Sequence, residues 1–126
     1  PSPFMYGIGG ARISAQDGCT VRMDPDGSVV ASSGVTEQGQ GTEAILAQIV
    51  AQGVGVPVEK VRVVTGDTLA TPYGGGTWAC RGAGIGGEAA LQSALALKEN
   101  ILTVAAAMLQ AKPEDLDIVD GEVVQT

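Results

Sequence analysis

Gly82-Ala83-Gly84-Ile85-Gly86-Gly87-Glu88-Ala89-Ala90 matches Gly-x-Gly-x-x-Gly at the mouth of a helix, and its flanks separate two architectures. A dinucleotide-binding βαβ unit requires a strand directly before the glycines, a parallel strand after the helix and an acid about 20 residues on. Here the preceding residues are Thr77-Trp78-Ala79-Cys80-Arg81, fed by Gly74-Gly75-Gly76. Downstream, Ala90, Ala94, Leu97, Ile101, Val104/Ala105 and Met108 recur at three and four, the spacing of an amphipathic helix. The chain is still helical around Leu102–Val104, where the acid should stand, and carries none. The nucleotide-fold reading therefore fails. The apolar stripe reads as core, and Lys112-Pro113 stops the helix.

Upstream, Val61–Thr65 is β-branched and reads as a strand ended by Gly66-Asp67. Before it, Thr42 is the expected N-cap of a helix carrying Ile45/Leu46, Ile49/Val50 and Val54, with Gly53 and Gly55 ending the run. Ala11–Ala15, Cys19–Met23 and Ser28–Ser32 are short strands separated by the turn signals Asp17-Gly18 and Asp24-Pro25-Asp26-Gly27. Near the end, Asp117–Val119 and Glu122–Val124 flank Asp120-Gly121 as a hairpin. The order strands, helix, strand, helix, strand hairpin predicts a two-layer α+β fold, a mixed β-sheet with helices on one face.

The 126 residues fit one domain, residues 1–126, with 44% apolar content sufficient for a core. Seven basic against fourteen acidic residues leave a net charge of −7, and the basic residues are scattered. No basic stripe exists, which argues against nucleic acid. Histidine is absent and cysteine is limited to Cys19 and Cys80, excluding a His-based metal site and a His-dependent triad. The cysteine usage suits a reduced, cytoplasmic protein. No apolar run is long enough to span a membrane. Pro1-Ser2-Pro3 resembles no signal peptide and lacks an initiating Met, so the chain reads as a piece of a longer polypeptide.

Two glycine-rich loops each run into a helix: Thr36-Glu37-Gln38-Gly39-Gln40-Gly41-Thr42-Glu43, and Gly74 through Gly87. Glycine admits positive φ and close approach, and a helix N-terminus presents unpaired N–H groups. Together they point to a large, phosphate-bearing cofactor. Gln38-Gly39-Gln40-Gly41 is otherwise a flexible turn, although each amide could read the edge of a heterocycle. Cys80, beside Arg81, is either a reactive thiol or a small polar lining residue, and the absence of a partner His favours lining. Glu37, Glu43 and Glu88 could serve acid–base chemistry, but helix-dipole complementation suffices for Glu43 and Glu88. Trp78 is expected as a core anchor.

The runs Gly34-Val35-Thr36-Glu37-Gln38-Gly39-Gln40-Gly41-Thr42, Gln48-Ile49-Val50-Ala51, Gly55-Val56-Pro57, Val61-Arg62-Val63-Val64 and Gly66-Asp67-Thr68 resemble the large subunit of molybdenum hydroxylases. So do Tyr73-Gly74-Gly75-Gly76-Thr77-Trp78-Ala79-Cys80-Arg81 and Gly86-Gly87-Glu88-Ala89. This is the xanthine dehydrogenase/aldehyde oxidase superfamily, and the carbon monoxide dehydrogenase/nicotinate dehydrogenase branch looks closest. The resemblance covers roughly residues 7 to 124. It implies a C-terminal part of the molybdopterin-binding region, with Gln38, Gly39 and Gln40, then Ala79, Cys80, Arg81, Gly82 and Ala83, around the pterin and its phosphates. Ala79 would lie near the molybdenum, which the cofactor's own dithiolene holds, so no protein metal ligand is expected. The resemblance further implies a cytosine dinucleotide form of molybdopterin, Fe–S and FAD on partner domains or subunits, the rest of the large subunit as a neighbour, and a small-molecule substrate. Cys80 stands where the family has Ser. The family's catalytic glutamate belongs further toward the C-terminus than this chain reaches, so no catalytic residue is assigned. The alternative is a cofactor-free binding or assembly module of the same fold.

Overall fold

The computed structural model describes residues 16–126. The expected strand Ala11–Ala15 lies outside them. Strand β1 (Cys19–Met23) pairs antiparallel with β2 (Val29–Ser33), in register Val21↔Ala31. Helix α1 (Thr42–Val54) carries the chain across to β3 (Val61–Val64), which pairs parallel with β2 in register Ala31↔Val63. After the second glycine loop comes α2 (Gly87–Leu109), then the hairpin β4 (Leu116–Val119) and β5 (Glu122–Gln125).

The period of two along each strand sends Val21, Val29, Ala31, Val61 and Val63 to the same face of the sheet. Both helices bury against that face, through Leu46, Val50 and Val54 of α1 and Ala90 and Ala94 of α2. The expected two-layer α+β arrangement therefore forms, with a mixed three-stranded sheet. The hairpin does not join that sheet; β4 and β5 make a two-stranded sheet of their own. It is tied to the helices by Gly121 N–H donating to Gly55 O at 2.9 Å and by Lys98 Nζ on Asp117 Oδ1 at 2.6 Å.

Three local expectations change. Thr42 is the first helical residue rather than the N-cap; Gly41, at φ 87°, takes that place. A side chain from upstream caps the helix, so Thr42 is free to be buried. Gly53 does not end α1 but lies within it, where a Cβ would come 2.8 Å from the Ala94 Cβ; Gly55, at φ 96°, is the true stop. Finally, the stripe of α2 is core only in part. Ala90 and Ala94 are fully buried, yet Val104, Met108 and Leu109 are exposed, Met108 by 79%. The reason is length: α2 has 23 residues against 13 in α1 and outruns it by about 15 Å. Its end is set by Gln110 in the left-handed region, two residues ahead of Lys112-Pro113.

Candidate functional site

The fold draws the two glycine loops together as the walls of one groove of about 400 Å³. Thr77 is the tie. Its hydroxyl accepts from Thr36 N–H at 2.7 Å and lies 3.0 Å from Thr36 O as donor, while its carbonyl accepts from Gln38 Nε2 at 3.1 Å. One wall is Gln38 and Gln40 with Thr42 and Ile45; the other is Thr77 through Ala83. Of the residues expected at the site, Gln38, Gln40, Ala79, Cys80, Arg81, Gly82 and Ala83 all line this groove, and Gly39 does not. Thr77, Trp78 and Ile45 were not expected in it. Thr77 and Trp78 stand inside the second loop, so their sequence position was the available signal.

The first loop is fastened by its own polar atoms. Gln38 N–H donates to Gln40 Oε1 at 2.6 Å, and Gln40 Nε2 donates to Thr42 Oγ1 at 2.7 Å. Glu37 Oε1 accepts from Gly39 N–H at 2.7 Å and Gly41 N–H at 3.0 Å, and Oε2 accepts from Glu43 N–H at 3.0 Å. Those bonds, the one from Glu43 foremost, hold the Glu37 carboxyl below its ordinary pKa. Two donors at the N-terminus of α1, Gly41 and Glu43 N–H, are thus satisfied from within the loop. What this loop offers the groove is its glutamine amides.

The second loop is the reverse case. Ala79 and Cys80 both adopt the left-handed region, at φ 47° and 57°, a cost that non-glycine residues bear chiefly at functional positions. The backbone then enters a π-helical turn, Gly82–Gly86, that leads into α2. Among the described residues, the N–H groups of Ala79, Cys80, Gly82 and Ala83 have no protein acceptor. Arg81 is fully buried: Nη2 lies 3.0 Å from Asp17 Oδ2, whose side chain is equally buried, and donates to Gln16 O at 3.1 Å. Asp17 Oδ1 accepts from Gly75 N–H at 2.8 Å, so one carboxylate pins both ends of the loop. The guanidinium of Arg81 therefore faces inward, and this residue meets the groove through its backbone. Trp78 is no core anchor: it is 38% exposed, donates from Nε1 to Gly75 O at 2.9 Å and lies 5.4 Å from the Arg81 guanidinium.

No carboxylate lines the groove, although the chain carries −7. Uncapped N–H groups at a helical start, two amides and the absence of acids make a donor set for an anionic, hydrogen-bonding ligand. The donor set fits a molybdopterin: free N–H groups suit its phosphates and amides suit the edge of its pterin. The other two candidate acids are engaged elsewhere, Glu43 accepting from Thr65 Oγ1 and Glu88 from Gln92 Nε2. Cys19 is half-buried, and burial pushes its thiol up to about 11, which leaves it inert at neutral pH. Cys80 is exposed at the groove.

The chain is 39% identical over 112 residues to the nicotine 6-hydroxylase large subunit of Paenarthrobacter nicotinovorans, covering 89% of this chain and 14% of that protein. It is 41% identical over 108 residues to the putative xanthine dehydrogenase molybdenum-binding subunit of Escherichia coli strain K12, covering 85% and 14%. In structure it is similar to quinoline 2-oxidoreductase from Pseudomonas putida 86, with a TM-score of 0.80 and 40% identity over 86% of this chain and 14% of that one. The chain thus spans only about a seventh of these relatives. The family model for the molybdopterin cofactor-binding domain matches residues 2–126. A groove built for an anionic, amide-reading ligand and that match lead to one conclusion: the chain belongs to the molybdopterin cofactor-binding domain family of the molybdenum hydroxylases.

Proposed function

We propose that the groove between the two glycine loops holds molybdopterin, and that the chain is one domain from the C-terminal part of the cofactor-binding region of a molybdenum hydroxylase large subunit. The observation that carries this reading is that Ala79, Cys80, Gly82 and Ala83, whose N–H groups find no acceptor among the described residues, line one groove with Gln38 and Gln40. The N–H groups would take phosphate oxygens, Gln38 and Gln40 would take polar edges of the pterin, and Gly39 would shape the turn between them without lining the groove. Arg81 would act from behind, holding the loop through Asp17. When bound, the cofactor supplies the metal and its redox chemistry. The residues of this chain supply orientation and exclusion of water.

The parent enzyme, on this reading, hydroxylates an aldehyde, an N-heterocycle or a similar small substrate with oxygen from water. Electrons leave to Fe–S and FAD groups on partner domains or subunits. The names nicotine 6-hydroxylase and quinoline 2-oxidoreductase favour a nitrogen heterocycle. A cytosine dinucleotide form of the cofactor and a cytoplasmic location, the latter from the sparse cysteine usage, complete the proposal. The test is extraction of the full-length protein, with oxidised pterin read by fluorescence and molybdenum by elemental analysis. Stoichiometric pterin and metal are expected. A folded full-length protein with neither would leave the cofactor-free module as the correct description.

A further inference from the structure

We propose that Glu37 is a positioning residue that sets the Gln38–Gly41 loop in its binding shape before any cofactor arrives. The inference rests on the assignment of this groove to molybdopterin. Packing does not hold the loop, and the glutamine side chains bond only to parts of it and to Thr42 and Thr77. Gly39 and Gly41 sit at φ 94° and 87°, and a Cβ on either would meet no atom within 4 Å, so no packing restrains them. Two unpacked glycines have the widest conformational freedom of any residue, and hydrogen bonds must do the ordering.

The three bonds from Gly39, Gly41 and Glu43 N–H to a single carboxylate do so. Each has an ionised acceptor, which makes it stronger than a neutral bond, and each lies at the N-terminus of α1, where negative charge is favoured. Gln38 and Gln40 ride on the backbone thus fixed, and their mutual bond follows from it. Glutamate is the side chain the geometry needs. Oε1 reaches two residues ahead while Oε2 reaches six ahead, a span the shorter aspartate cannot cover. With both oxygens engaged, Glu37 serves as a clamp rather than as an acid or base.

The experiment compares Glu37→Ala, Glu37→Gln and Glu37→Asp with wild type in the full-length protein. It measures pterin content, melting temperature and amide hydrogen exchange in peptides covering Gly39–Glu43. Glu37→Ala is expected to speed exchange there and to lower pterin content, each roughly fivefold or more, with exchange elsewhere unchanged. Glu37→Gln presents an NH₂ to Glu43 N–H and should deprotect Glu43 alone. Glu37→Asp should recover protection at Gly39 and part of the pterin. If Glu37→Ala fails to fold, Glu37→Gln carries the test through its single-amide effect. Unchanged exchange in the substituted proteins, or faster exchange with full pterin content, overturns the inference. Wild-type protein that lacks pterin overturns the groove assignment instead, and leaves the exchange result to stand as evidence for the clamp.

Discussion

Arg81 and Asp17 bury a positive and a negative charge together, with both side chains at 0% exposure, and the second loop hangs on that pair. Removing one charge strands the other in a low-dielectric site. Asp17→Asn is therefore expected to destabilise the protein by about 3–5 kcal/mol, read from urea unfolding. A loss below about 1 kcal/mol would mean that the pair behaves as a surface one. Cys80 presents the opposite case, an exposed thiol on the groove wall with no base beside it. Cys80→Ser in the full-length protein should retain cofactor and turnover, because the hydroxyl is the better donor. Loss of turnover at full cofactor loading would instead identify the thiol as a reacting group. Gln40 already spends one acceptor and one donor inside its loop, leaving a second N–H for the groove. Gln40→Ala is expected to lower molybdenum content with about 1 kcal/mol lost in stability. Full metal content with a collapsed melting temperature would make Gln40 purely structural.

The crossing of α1 and α2 depends on the missing side chain of Gly53. Its Cβ would sit 2.8 Å from that of Ala94, closer than two carbons pack. Gly53→Ala should cost about 1–3 kcal/mol through overpacking, and Ala94→Gly in the same chain should restore part of it. Additive losses in the double variant would show that the helices do not meet here. This glycine also marks where sequence reading stops. β1, β2, β3 and the hairpin were legible because β-branched runs lie between Asp-Gly and Gly-Asp turns, which are local signals. A glycine that ends a helix and one that admits a neighbouring helix look alike in one dimension, so Gly53 was misread. Thr42 was misread for a related reason, since the capping carboxylate comes from Glu37, five residues earlier. Most of the groove was legible, Gln38, Gln40 and Ala79 to Ala83 among its residues, because glycine loops running into helices announce themselves. The partner of Arg81 was not, since Asp17 is drawn to it by tertiary structure alone and in sequence signals only the Asp17-Gly18 turn.

Across the molecule, three carboxyls among the described residues are held below their ordinary pKa: Asp26 by the Ser28 hydroxyl, Glu37 by the Glu43 N–H, and Asp117 by Lys98. Groups whose pKa is lowered on folding stabilise the protein above their unfolded values and lose that contribution as pH falls through the folded ones. The melting temperature should therefore be level between about pH 7 and 5 and decline below about pH 4. A melting temperature unchanged down to about pH 3 would contradict this. The ties across the groove have a different consequence. Thr36 and Thr77 are 41 residues apart, Asp17 and Gly75 are 58, and Gln16 and Arg81 are 65. The hairpin β4–β5 and each helix, by contrast, form from neighbours in the chain. Distant contacts must meet the entropy of loop closure before they return anything. The groove therefore exists only where tertiary structure has brought distant segments together, and no isolated stretch of the chain can form it.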